Sequence, residues 1–222
     1  MRQNIKNIII YYTMKFCILM WYDENASVYG DINYKINKAY CDKNNIQLFC
    51  CNKRRHSDRH PAWERIPLIL EYINDYDYIM WIDADAHFYI DSENIINLIN
   101  DNKNYDFIFS KDMSVAINTG CFIVKNTKYS IDFLKKWGYD EELYKNNNYP
   151  HWWDNGVILD MFALNILDIE NNCKMIDYGV LQHFCEDELF PNPFIFHLAG
   201  RSKEIRINHS LNYAKKINIL ND

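Results

Sequence analysis

The order of apolar runs along this 222-residue chain predicts an α/β protein built on a single open, mostly parallel sheet covered by helices on both faces. Three observations carry that expectation. Strand-like runs alternate with segments at helical spacing. One run, Tyr78-Ile-Met-Trp-Ile82, is continuously apolar, as a strand buried on both faces must be. It stops abruptly at Asp83-Ala-Asp85, and ligand sites of such sheets lie beyond the carboxyl ends of the strands.

The elements follow in order. Ile8 to Tyr22 is apolar, but Thr13 and Lys15 interrupt it and it is short of a spanning helix, so it reads as a buried first strand with no membrane span. Residues 1–14 are then a dispensable extension, with Met14 an alternative start and Lys15 to Tyr22 the strand proper. Ile32, Ile36, Ala39 and Tyr40 mark a helix ending near Asn44-Asn45, and Ile46 to Cys50 is a short strand. A loop rich in Arg and His (Arg54 to His60) leads to Pro61 at a helix start, with Ala62, Ile66, Ile69, Leu70 and Ile73 on one face. After the Tyr78–Ile82 strand, Asp91 caps a helix through Ile99. Phe107 to Ser110 and Gly120 to Val124 read as strands, Ser130 to Trp137 as a helix, and Tyr139 to Pro150 as a polar loop. A helix from Asn155 to Leu164 and a strand from Phe194 to His197 complete a single domain over residues 1–222, without repeat or flexible linker.

Composition narrows the function. A net charge of −6, with Lys53-Arg54-Arg55 the only basic run, is the wrong sign for tracking a phosphate backbone, so nucleic acid is excluded as a partner. Seven cysteines with one vicinal pair and no C-x-x-C fit neither a metal knuckle nor a disulfide framework; a reducing, cytoplasmic setting suits them. The chain has six Gly in all, with no G-x-G-x-x-G after a strand and no P-loop, which disfavours a nicotinamide site and a Walker nucleotide site. Phosphate would have to be met by a metal and basic side chains.

Asp83 and Asp85, read as i and i+2 of an extended segment, point the same way and can converge on one hard cation, Mn²⁺ or Mg²⁺. Two carboxylates so close repel unless a cation separates them. An isolated D-x-D is ordinarily a turn; the flanking buried strand makes this one a candidate site.

The specific resemblance lies in a series of segments: Trp63-Glu-Arg65, Tyr76-Asp-Tyr-Ile-Met-Trp-Ile-Asp-Ala-Asp-Ala86, Asn118-Thr-Gly-Cys-Phe-Ile-Val124, Trp153-Asp-Asn155 and Phe196-His-Leu-Ala-Gly200. Their order and spacing resemble the metal-dependent, retaining GT-A glycosyltransferases that include yeast α-galactosyl- and α-mannosyltransferases and plant xyloglucan xylosyltransferases. The resemblance implies a GT-A fold from Lys15 to Arg206. It implies a nucleotide-sugar donor, a glycan or glycoprotein acceptor, and a metal held by Asp83, Asp85 and His197. It also implies that Asp154 and Asn155 act near the reacting carbon, where Asn replaces the family's usual Gln. Asn118 and Gly120 would lie between the metal and the acceptor groove. Arg201 or Lys203 would reach the diphosphate, or be solvated surface charge. Arg65 aligns with a basic donor-site residue, although a helix-surface Arg is the ordinary reading. Trp152 and Trp153 form a sugar platform or pack under the Tyr139 loop. The alternatives are a non-catalytic sugar-binding module on the same fold and a nucleotide-sugar hydrolase or nucleotidyltransferase.

Overall fold

The computed structural model describes residues 14–114, 116–184 and 190–220. The expected extension at residues 1–14 lies, apart from Met14, outside the described residues. Among the described residues no helix is long and apolar enough to cross a membrane.

The elements run β1 (Phe16–Trp21), α1 (Ser27–Asn44), β2 (Gln47–Cys51), α2 (Arg65–Tyr72), β3 (Tyr78–Ile82), β4 (Ala86–Phe88), α3 (Ile95–Asp101), β5 (Phe107–Lys111) and β6 (Ile117–Lys125). They continue with α4 (Lys128–Tyr139), α5 (Glu141–Asn146), α6 (Trp153–Ala163), α7 (Ile169–Asn172), β7 (Cys173–Ile176), β8 (Gln182–His183), β9 (Ile195–His197) and α8 (Lys203–Lys216). The main sheet has the order β2-β1-β3-β6-β5-β7. Five of its six strands are parallel, as expected, and β6 alone runs against its neighbours β3 and β5. The physical reason is the link from β5 to β6: residues 112–116 are too few for a crossover helix, so the chain must turn back on itself. The Asp112 carboxylate closes that turn on the Ser114 and Ala116 amides.

The alternation within β3 shows why its run is apolar throughout. Ile79 and Trp81 enter a core with Leu19, Phe109, Phe122, Phe133 and Trp137; Tyr78, Met80 and Ile82 enter a second with Ile18, Tyr40, Phe88, Ile95 and Ile99. Helices α2, α4 and α6 cover the first face, α1 and α3 the second.

Four features differ from expectation. A second sheet, β4-β9-β8, joins the one foreseen; β9 is the strand expected from Phe194 to His197, whereas β4 and β8 lack the length that makes a strand legible in sequence. Asp91 does not cap α3: the exposed Asp91 sits in the preceding turn, and Asn94 receives the Ile96 amide at 3.0 Å instead. The polar stretch after Tyr139 holds α5, capped by Asp140 on the Leu143 amide. The C-terminal helix α8, which the sequence reading leaves out, packs along α1.

Helix α1 does more than cover a face. Asn33 and Asn37 lie one turn apart and both are fully buried. Asn33 donates to the Ala84 carbonyl at 2.8 Å; Asn37 donates to the Ala86 carbonyl at 3.0 Å and accepts from the Phe88 amide at 2.9 Å. The segment after β3 is thus held by side chains where no sheet partner serves those groups. Asn37→Ala leaves a backbone donor and acceptor of β4 buried without partners, an expected loss of about 1–3 kcal/mol. Urea unfolding of the variant measures it, and an unchanged midpoint would contradict this role.

Candidate functional site

Asp83-Ala84-Asp85 is a tight turn and not the extended segment expected from the sequence: the Ala86 amide donates to the Asp83 carbonyl at 3.0 Å. The two carboxylates converge through this turn. The third group arrives from 112 residues downstream in sequence by strand pairing, since β9 runs antiparallel to β4 with His197 opposite Ala86. The strand expected from Phe194 to His197 is thus received by the short strand β4 of the second sheet. His197 Nε2 then lies 3.3 Å from Asp85 Oδ1 and 3.9 Å from Asp83 Oδ2, and one donor atom from each of the three residues falls within 4.8 Å of the others.

Two residues fix the imidazole. Its Nδ1 donates to Gln182 Oε1 at 2.9 Å, and Gln182 is itself oriented because its amide nitrogen reaches both Asn118 O and Oδ1 at 3.3 Å. With Nδ1 engaged by the Gln182 oxygen, Nε2 is the ring atom turned toward the aspartates, the orientation found where a ring nitrogen ligates metal. The other is Gly120, where an added Cβ would stand 2.1 Å from His197 Cε1. The close approach that this glycine permits is to His197 itself.

Arg65, ranked by sequence as an ordinary helix-surface residue, is 5% exposed at the centre of the site. It donates to Ala62 O at 3.0 Å, to Thr119 O, to Thr119 Oγ1 at 2.6 Å and to Asp83 at 3.1 and 3.3 Å, and lies 3.3 Å from Asp154 Oδ2. Burial works against its charge, but Asp154 and Asp83 outweigh burial and raise its pKa. Asp83 Oδ1 also receives the Trp81 indole N–H at 2.6 Å.

For Asp85, burial alone would raise the pKa; His197, hydrogen-bonded to it, and Arg206 prevail and hold the carboxyl below the usual range. Arg206 comes from α8, with Nη2 2.8 Å from Asp85 Oδ2. Asp154, 1% exposed at the start of α6, is pushed up to about 6 by burial, with Arg65 opposing and Asp83 adding to the rise. Its neighbour Asn155 is committed to β6, accepting from Thr119 N at 2.8 Å and donating to Ile117 O at 3.1 Å.

These groups line one cleft of about 450 Å³ at the carboxyl end of β3. Asn118, Gly120, Trp152 and Trp153 line it too, and Trp153 stacks on His60 with centroids 3.6 Å apart. Trp153 reaches that position with φ of 50°, a conformation that costs a tryptophan about 1–3 kcal/mol. Arg201 and Lys203 are exposed and stand outside the cleft wall, Arg201 donating to Phe184 O at 3.3 Å; the basic residue that α8 sends inward is Arg206. Arg206 lies on the side of α8 that rests against Tyr29, whereas Lys203 is the exposed first residue of that helix.

The family model described as "Protein of unknown function, DUF273" matches residues 33–192, most of the chain. The chain belongs to that family. Beyond the family match, this DUF273 chain is 28% identical over 114 residues to "Probable glycosyltransferase 2" of Oryza sativa subsp. indica, covering 44% of this chain and 22% of the relative. It is 27% identical over 120 residues to "Xyloglucan 6-xylosyltransferase 4" of Arabidopsis thaliana, covering 47% and 23%. The chain thus spans less than a quarter of the length of these curated relatives. Among solved structures, a glycosyltransferase involved in the glycosylation of the major capsid of PBCV-1 superposes with a TM-score of 0.71 at 15% identity, covering 89% of this chain and 99% of the other. The fold is the GT-A fold, and the relation to xyloglucan xylosyltransferases matches the resemblance seen in the sequence.

Two outcomes test the geometry. Gly120→Ala forces the imidazole aside, and overpacking of this kind costs about 1–3 kcal/mol; the His197 ring resonances should shift while those of His87, buried in β4, do not. For Asp154, a carboxyl whose folded pKa of about 6 exceeds its ordinary 3.8 contributes stability that is fully present below pH 3.8 and lost as pH rises through about 6. Asp154→Asn has no such proton to lose, so the stability difference between wild type and variant should change across that window and be flat above it.

Proposed function

We propose that this protein transfers a glycosyl group from a nucleoside-diphosphate sugar to a hydroxyl of a glycan or glycoprotein, with retention at the donor carbon. The carrying observation is the convergence of Asp83, Asp85 and the Gln182-oriented His197 at the floor of a cleft in a GT-A fold. Two carboxylate oxygens and an imidazole nitrogen suit Mn²⁺ and, less specifically, Mg²⁺. The spacing supports this, since ligand atoms about 2.1 Å from an octahedral ion lie roughly 3 Å apart. Such an ion, when bound, neutralises charge accumulating on a departing diphosphate.

The chain's own residues divide the remaining work. Asp83 and Asp85 hold the cation while Arg65 keeps Asp83 in place and prevents its rotation. Asp154 has Oδ2 occupied by Arg65 and Thr119, which favours electrostatic stabilisation of positive charge at the sugar carbon over nucleophilic attack. Asn155 supports β6 and thereby Thr119 and Gly120. The stacked rings at the cleft mouth, Trp153 on His60 and Trp152 on Tyr149, offer flat faces to sugar. The two relatives named a glycosyltransferase and a xylosyltransferase favour a sugar donor and leave both pentose and hexose in play. The chain acts in this reading as one catalytic unit, and a reducing compartment suits the six described cysteines, all free thiols.

The test begins with a thermal-shift panel of nucleotide-sugars with and without Mn²⁺, because a ligand that binds only the native state raises its stability by mass action. The donor found there should be turned over only with metal. Asp83→Asn and Asp85→Asn should each lower turnover by at least about 10²-fold, measured where melts show the variant folded, because Asp83→Asn also removes one of the two carboxylates that balance Arg65. Undiminished transfer in excess EDTA, or in either variant, would sink the metal-dependent reading, and inversion at the donor carbon by NMR would remove the retaining one.

A further inference from the structure

The two guanidinium groups at the floor of the cleft are differently spent. A guanidinium carries five N–H donors. In Arg65 all of them face Ala62 O, Thr119, Asp83 and Asp154, and the side chain is 5% exposed. Arg206 uses one on Asp85 Oδ2 at 2.8 Å, one on Leu198 O at 3.3 Å and one, at the outer limit of a hydrogen bond, on Tyr29 OH at 3.5 Å. Among the described residues two donors are left over, on a side chain that is 23% exposed and lines the cleft. Its apolar stem and plane rest near the Tyr29 ring, with Cζ 5.3 Å from the centroid, so the fork is held in place although it is not saturated.

The division at Asp85 is equally informative. Oδ1 faces His197 and the space between the three candidate ligands, while Oδ2 faces Arg206. A cation held on Oδ1 and the Arg206 fork held on Oδ2 would stand on the two sides of one carboxylate. Any anion that bridges them meets a divalent charge and two free N–H donors together. Planar, bidentate donation of this kind is what phosphate oxygens accept. Arg201 and Lys203, the basic residues nearest to His197 in sequence, are exposed and outside the cleft wall.

Resting on the metal-dependent reading above, we propose that Arg206 is the residue that grips the diphosphate of the donor, and that Asp85 couples it to the metal by serving both. The link has a sign. Arg206 neutralises part of the Asp85 charge, so its removal should leave binding of the metal alone unchanged or tighter. The same change should loosen the diphosphate. A side chain that merely holds α8 or Asp85 in place would weaken both together.

The experiment uses the full chain and two probes, Mn²⁺ alone and inorganic pyrophosphate with Mn²⁺ saturating, each titrated calorimetrically. Arg206→Met keeps the stem against Tyr29 and removes the charge, while Arg206→Lys keeps the charge and removes the fork; thermal melts verify that both are folded. For Arg206→Met, Mn²⁺ affinity should equal or exceed wild type while pyrophosphate affinity falls at least about tenfold, the loss expected of charge-assisted hydrogen bonds. Arg206→Lys should fall between. Pyrophosphate binding in Arg206→Met equal to wild type, or proportional weakening of both probes, overturns the proposal and leaves the metal site standing. Failure of wild type to bind Mn²⁺ overturns the metal-dependent reading itself, and this inference with it.

Discussion

The structure around the cleft depends on one buried guanidinium. A cation at 5% exposure is tolerable only when every donor is answered and its charge is balanced nearby, because an uncompensated buried charge costs several kcal/mol. Arg65 meets that condition with groups from four parts of the chain: the turn before α2, the end of β3, the middle of β6 and the start of α6. None of these parts can shift without stranding a charge. Asp83 is thereby aimed, Thr119 is fixed next to Gly120, and Asp154 is kept under the cleft floor at a pKa near 6 and not higher. Trp81, whose ring lies 5.5 Å from the Arg65 Cζ and whose indole N–H reaches Asp83, closes the arrangement from the sheet side.

The second sheet supplies what this centre lacks. Its registers are short, yet they are tightly specified: a one-residue slip between β4 and β9 would turn His197 away from the aspartates. Three independent constraints oppose such a slip. Asn33 and Asn37 of α1 hold the backbone from Ala84 to Phe88. Gln182, on the neighbouring strand β8, takes the imidazole Nδ1. Gly120, on the main sheet, leaves room for the ring and for nothing larger. The histidine is therefore positioned from both sheets at once, which is how a residue so far along the chain is held within 3.3 Å of Asp85.

Charge around the cleft is arranged in alternation. Asp83 faces Arg65, Asp85 faces Arg206, and Asp154 shares Arg65. Three carboxylates stand against two guanidinium groups, an excess of one negative charge among these five side chains. In the proposed reading this negative excess would favour a divalent cation, and a bound cation would reverse the sign toward an anionic ligand.

Sequence alone determined the parts of this protein that follow from local pattern. The continuous apolar run of β3 required burial on both faces, its abrupt end at Asp83 marked the site, and segments with distinctive spacing pointed to the GT-A fold. Asp83, Asp85, His197 and Asp154 were nameable for that reason. Tertiary structure decided what local pattern does not encode. Arg65 looks like any charge on a helix until β6 and α6 close over it, and Arg206 lies on a helix whose inward face is set by packing on α1. Gln182 and Gly120 matter through one imidazole that reaches them across two sheets. Strands of two and three residues, such as β8 and β4, carry too few side chains to show a period, and the direction of β6 followed from the length of a turn. Local periodicity reports which face of an element is buried; which partners meet there is fixed by register and helical phase, quantities that exist only once the chain has folded.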